Sequence, residues 1–277
     1  MFGWWEAERG GDKRMGKSIG IMAVIGVCAL VCRGQTVQPD ERGLWDVWCV
    51  GTNSGFVAEE SLKACIAFTA RTPRDPFVLV MSGFAAWHHL KNGNTEMAVR
   101  LFESMQTEKP VTALQKAGDQ MARTWLTRLD RERVAHALKK AYLRDIAFPP
   151  TLEALKVEGD DAARPPLTDR WGKPWAYRLS SSIQGMAAHR YVLESPGLGA
   201  DSDLRNALKR PYADGIQLRA LRMAAGITDT VEFANPDGVS VRRRLGQEMS
   251  GGTLVYLGAR LLLLSDGNHW RVLPRPR

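Results

Sequence analysis

The chain has 277 residues, 44% of them hydrophobic, and 38 Lys and Arg against 30 Asp and Glu give it a formal charge of +8. That apolar content can fill a core in one large or two to three small domains, which excludes a disordered tail. The positive charge is spread along the chain, with Arg242-Arg243-Arg244 as its basic run. No aromatic-interleaved basic patch or recognition-helix pattern accompanies that run, so nucleic acid is not an expected partner.

Residues 1–34 carry Lys13, Arg14 and Lys17 ahead of the apolar stretch "SIGIMAVIGVCALVC" and a polar segment beginning at Arg33. This is signal-peptide anatomy, too short for a comfortable membrane span. Met1 and Met15 are both candidate starts. Cleavage after Gly34 predicts a periplasmic or exported protein, while an uncleaved segment would anchor it at the inner membrane. After cleavage Cys49 and Cys65 would be left. In an oxidising compartment they are a candidate disulfide closing a loop of about sixteen residues, worth about 3 kcal/mol in the chain-entropy model. The other reading of Cys65 is a buried thiol on an apolar helix face. The spacing matches no zinc site.

From about Ala58 to Gln106 the periodicity is helical. Leu62, Cys65, Ile66 and Thr69 share one face, and Asp75 and Pro76 are placed to start a second helix carrying Phe77, Val80, Phe84, Trp87 and Leu90. Gly93 is placed to end it in the left-handed conformation. A third helix follows with Ala98, Leu101, Phe102 and Met105. The pattern "WHHLKNGNTEMAVRLFESM" resembles a tetratricopeptide-type hairpin, in too few units for a free-standing solenoid. Adjacent His88 and His89 point about 100° apart on a helix and cannot both ligate one ion from one face.

After Pro110 a longer helix is expected to about Ile146, with Met121, Trp125, Leu129, Val134, Leu138 and Tyr142 at its core positions. Phe148-Pro149-Pro150 stops it, and "TLEAL" reads as a short turn with Thr151 at the N-cap. In "PPLTDRWGKPWAYRL", Asp169 is placed to accept from backbone amides ahead of it, Gly172 to take a positive φ, and Pro174 to fix the exit. Trp175, Tyr177 and Leu179 then alternate as one face of a strand. A second strand, "RYVLES", places Tyr191 and Leu193 on one side, and "PGLGADSD" closes the unit.

The order "FPPTLEAL", "PPLTDRWGKPWAYRL", "RYVLESPGLGADSD" resembles the globular domain of the major pseudopilin of bacterial type II secretion systems, over about residues 114–204. In that family Asp169, Trp171, Gly172, Pro174 and Tyr177 would build the turn into a small antiparallel sheet. The loop that follows would hold calcium, with Leu193, Ser195 and Asp201 at matching positions and Asp203 nearby. The family's Asp-Gly is here Asp201-Ser202, which leaves an ordinary Asx turn as the other reading. The chain also departs from the family in lacking a polymerising N-helix continuous with the domain.

Residues 211–277 read as a small all-β module of about six strands, from alternating segments separated by Gly, Asn and Asp. Its strand positions are Val231 and Phe233, Val239 and Val241, Leu254 to Leu257, Leu261 to Leu264, and Trp270 and Val272. This order is similar to the periplasmic homology region of the type II secretion clamp protein and the type IV pilus assembly lipoprotein. The likeness implies secretin contact through a strand edge. Arg242, Arg243 and Arg244 would lie on one strand there, either as a partner contact or as a solvated edge that resists aggregation.

The expected class is therefore α+β, divided into a signal or anchor (1–34), a helical region (35–110), a pseudopilin-like domain (111–210) and a β module (211–277). No nucleophile, base and pocket assemble from any recognisable motif. His136, His189 and His269 are isolated, and the pairs Asp160-Asp161 and Asp201/Asp203 lie in loops. The expected function is a non-catalytic envelope component of a type II secretion or type IV pilus-like system, with a secretin or pseudopilins as partners. The alternative is a secreted or surface binding protein that reuses the scaffold.

Overall fold

Asp40 starts the helical region. Its carboxylate accepts from Gly43 N at 2.8 Å, its own N–H donates to Asp75 Oδ2 at 2.7 Å, and Arg71 pairs with it at 2.8 Å. This one residue caps α1 (Glu41–Thr52) and ties it to the end of α2 (Glu59–Arg71) and the start of α3 (Val78–Lys91). The computed structural model describes residues 38–155, 164–180, 190–212, 220–222, 230–234, 240–249 and 251–274. The expected signal segment, Asp160-Asp161, His189 and Val239 lie outside them.

Helix α1 precedes the helices read from the sequence, although Leu44, Val47 and Gly51 supply a buried face. Gly51 is required there because a Cβ would lie 2.0 Å from the Phe56 ring. Phe56 stacks on Phe84 with centroids 4.3 Å apart. Helix α3 is buried nearly all round because α2, α4 (Thr95–Met105), α5 (Ala113–Asp145) and the C-terminal strand pack about it. Gly93 has φ of +78° between α3 and α4, and Asn94 caps α4 by accepting from Met97 N. Thr112 and Gln115 form a reciprocal capping box at the start of α5.

Helix α5 runs 33 residues, about 50 Å, and serves two cores. Its first half gives Leu114, Met121, Trp125, Leu126 and Leu129 to the large helical core. Its second half gives Val134, Leu138 and Ala141 to a smaller core with Leu152, Leu155, Trp175 and Leu193. That smaller core is closed by the antiparallel pair β1 (Ala176–Leu179) and β2 (Tyr191–Glu194), in register Tyr177 to Leu193. Trp175 is buried and Tyr177 and Leu179 are half-buried, while Ala176 and Arg178 are exposed, so the alternation runs as the sequence spaces it. A 3-10 turn at Ala200–Ser202 leads into α6 (Leu204–Lys209).

The C-terminal region contains two antiparallel sheets. One orders β3 (Ala220–Arg222), β4 (Thr230–Ala234) and β5 (Ser240–Arg244). The other orders β6 (Glu248–Met249), β7 (Gly252–Leu257), β8 (Leu261–Ser265) and β9 (Trp270–Pro274). Every residue of β8 is buried. Leu261 and Leu263 enter the helical core, while Leu262 and Leu264 join Val231, Met249 and Leu254 in a third core. A strand covered on both faces has no polar side to show, which is why "LLLL" carries no alternation.

The β module is thus packed onto the helices along one face. Trp270 packs so closely on α3 that a Cβ at Gly83 would sit 2.4 Å from its Nε1. Tyr256 meets Phe77 edge-on at 4.8 Å, and its hydroxyl donates to Glu41 Oε1 at 2.9 Å. Glu41 also accepts from Ala259 N and Arg260 N, so the first turn of α1 holds the β7–β8 turn. The regions read separately as 35–110, 111–210 and 211–277 share this central core, and Val37–Arg277 is one unit.

The disulfide reading of Cys49 and Cys65 is corrected: both are free thiols. Cys65 faces the core of α2, where burial pushes its thiol up to about 12, whereas Cys49 is exposed on α1. The helix phases that bury one thiol and expose the other keep them unpaired.

Candidate functional site

The Asp169 turn is built from the inside. Asp169 is buried, and its Oδ1 accepts from Trp171 N at 3.0 Å and Lys173 N at 2.9 Å, with Gly172 at φ +77° between them. Its Oδ2 accepts from the fully buried Ser195 hydroxyl at 2.7 Å. Trp171 covers Gly197, where a Cβ would come within 3.0 Å of the indole. Pro174 leaves the turn through a bridge with Thr168. Trp175 Nε1 donates to Pro166 O, and the Tyr177 hydroxyl donates to Pro149 O at 2.7 Å. The turn is also fixed to α5: Arg170 pairs with buried Asp130, Arg170 N donates to Thr127 Oγ1, and Arg123 donates to Arg170 O.

The oxygens matched to a calcium loop already have donors. Arg131 Nε donates to Leu193 O at 2.9 Å, and the Ser195 hydroxyl is engaged by Asp169 and by Gly197 N. Arg128 Nε donates to Asp201 O at 2.8 Å, and Arg210 donates to Asp201 Oδ1 at 2.7 Å. Asp203 caps α6 through Asn206 N and receives Arg131 Nη1 at 3.4 Å. Guanidinium groups therefore stand where a divalent cation would need oxygen, and calcium wants six to eight such ligands. Leu193, Ser195, Asp201 and Asp203 do not fit calcium. Among the described residues no cluster of three or more His, Cys, Asp or Glu is arranged to hold a metal.

Arg128 links this loop to a cavity of about 360 Å³ lined by Trp125, Arg128, Ala207, Arg210, Asp266 and His269, with Pro211 and Asn268 completing the wall. Arg128 is 1% exposed, and its guanidinium sits 4.6 Å over the Trp125 ring. Burial lowers its pKa to about 10, against the favourable charge of Asp201 and Asp266. On the opposite wall, Asp266 Oδ1 accepts from Asn268 N and His269 N, both at 2.7 Å, and Oδ2 lies 3.6 Å from His269 Nδ1 and 3.6 Å from Arg271 Nη2. Burial alone would raise the Asp266 pKa. The hydrogen bonds and charge supplied by His269, with the two amides, outweigh it and hold the carboxyl below its ordinary value. The His269 ring is fixed edge-on against Trp87 at 4.9 Å and Tyr212 at 4.7 Å. Among the described residues, Arg128 Nη1, His269 Nε2 and Asn268 Oδ1 have no protein partner.

In the sequence His269 is an isolated histidine, and nothing there singles out Arg128. The sequence signals that bear on them are weak: an arginine three residues after Trp125 on a helix, and "SDGNH" as a turn. Their meeting depends on the β8–β9 turn reaching α5, where Trp125 Nε1 donates to Asn268 O at 2.8 Å. Among the described residues, His88, His89 and His136 do not line this cavity. His88 is buried beside Asn92, and His136 is exposed.

The arginine run lies on β5. Arg242 pairs with Glu232 at 3.6 Å across β4 and is half-exposed. Arg243, on the opposite face, donates to Glu248 O at 2.8 Å and so joins β5 to β6. Arg242 and Arg244 are the exposed members. No protein-family model, curated protein or solved structure matches the chain.

Proposed function

We propose that this protein is a non-catalytic envelope component of a type II secretion or type IV pilus-like apparatus that works through protein–protein contacts. The observation that carries the reading is the small core of α5, the proline-stopped turn, the Asp169 turn and the β1–β2 pair. It follows the order of the pseudopilin resemblance and sits within a larger body that supplies further surfaces. The edge strand β5, with Arg242 and Arg244 outward, is the surface offered to a secretin or pseudopilin. In this reading the protein acts on the periplasmic side, released or held at the inner membrane by its N-terminal segment. No helix among the described residues is long and apolar enough to cross a membrane.

Affinity purification of the tagged full chain from its native envelope tests this. Secretin or pseudopilin subunits should co-purify, and Arg242→Gln with Arg244→Gln should release them. Recovery of no such component, under conditions that retain a known pair, overturns the reading. A second reading, a secreted or surface binding protein on the same scaffold, is favoured by the cavity at Arg128.

A further inference from the structure

The walls of the Arg128 cavity have a definite charge balance. Arg128 and Arg210 carry two positive charges and Asp266 carries one negative charge, so one positive charge is left over without counting His269. Arg210 is already engaged by Asp201, which lies outside the lining, and Asp266 by two amides and by Arg271 on β9. Arg128 is the cation with the fewest anionic contacts. It has a backbone carbonyl, the face of Trp125 and an unpartnered Nη1, at 1% exposure.

A buried guanidinium in this state is relieved by an anion that matches its planar fork, and a carboxylate does so with two parallel hydrogen bonds. In the same wall His269 Nε2 is without a protein partner and serves a carboxylate as a donor when it carries a proton, whereas Asn268 Oδ1 is an acceptor and serves no anion. The remaining surface, from Trp125, Ala207 and Pro211, is apolar and takes the body of a ligand. The volume of about 360 Å³ lies at the small end of the range for small-molecule sites. One excess charge fits a monoanion better than a phosphate dianion.

We propose that this cavity binds a small organic monocarboxylate, its carboxylate against Arg128 and its apolar body against Trp125, Ala207 and Pro211. The site stands independently of the secretion reading, since it uses neither β5 nor any partner surface.

The test is calorimetric titration of the full chain with benzoate, with neutral benzamide and inorganic phosphate as comparison probes. Benzoate should bind saturably and raise Tm, with benzamide at least about tenfold weaker. Arg128→Met should abolish benzoate binding. Because Arg128 is buried and that variant can fail to fold, the exposed Arg210→Gln provides a second test and should weaken benzoate about threefold while preserving Tm. Equal binding of benzamide and benzoate would show an apolar hole that ignores charge. Phosphate binding more tightly than benzoate would show an inorganic-anion site. Either result overturns the proposal, as does no saturable benzoate binding up to about 20 mM or a folded Arg128→Met that binds normally.

Discussion

Ser195 Oγ donates to Asp169 Oδ2 at 2.7 Å in a fully enclosed position, joining the loop after β2 to the turn before β1. Removing the donor leaves a buried carboxylate oxygen with nothing in its place. Ser195→Ala should therefore cost about 1–3 kcal/mol in urea unfolding. Asp169→Ala, which also frees the amides of Trp171 and Lys173, should cost more. If Ser195→Ala unfolds at the wild-type midpoint, the bond does not brace the turn.

The same loop, with its oxygens held by Arg128, Arg131 and Arg210, should be indifferent to calcium. The melting temperature in excess Ca²⁺ is expected to equal that in chelator, since a ligand that does not bind the folded state cannot stabilise it. A calcium-dependent rise of several degrees that disappears in Asp201→Ala would reinstate the calcium loop.

The helices and the β module should unfold together. Gly83→Ala places a methyl 2.4 Å from Trp270 Nε1, and overpacking of that kind costs about 1–3 kcal/mol. A single thermal transition lowered by about 3–10 °C is expected. Two separate transitions in the wild type would mean that the α3–β9 contact does not couple them.

Cys49 and Cys65 should react as two free thiols of opposite accessibility. In a Cys28→Ser/Cys32→Ser background, a thiol reagent should label Cys49 in the native protein. Cys65, with its thiol pushed up to about 12 by burial, should be labelled on unfolding. Finding neither thiol in denatured, unreduced protein would show that the pair oxidises after all.

At alkaline pH the buried phenols should dominate. Burial raises the Tyr212 pKa well above 10.0, and burial with the Glu41 hydrogen bond raises that of Tyr256. In each case the unfolded state loses its proton first, so the stabilisation is complete below the unfolded pKa of about 10 and falls as pH rises from there towards the folded pKa. Urea midpoints measured from about pH 9 to about pH 11 should fall, more gently in Tyr212→Phe. That variant also loses the bond from Trp270 N to the Tyr212 hydroxyl, which should cost about 1–3 kcal/mol at neutral pH. An equal slope in wild type and variant would remove Tyr212 as a cause.

The features legible in the chain are local. Gly93 before Asn94, Gly172 after Asp169, and the alternation of Trp175, Tyr177 and Leu179 depend on backbone conformation and side-chain period within a few residues, so they are legible in order. The helix α1 was legible in principle, with Asp40 as a cap and Leu44 and Val47 on one face, but its glycines and tryptophans obscure the period. How the pieces share cores depends on packing between segments distant in the chain. Residues 261–264 are four leucines in the sequence, and only the two layers packed against β8 assign alternate members to different cores. Likewise Arg128, His269 and Asp266 have no common spacing in the chain. They face one cavity because the β8–β9 turn is carried onto α5, where burial lowers the Arg128 pKa and the hydrogen bonds from His269 and two amides hold the Asp266 carboxyl below its ordinary value.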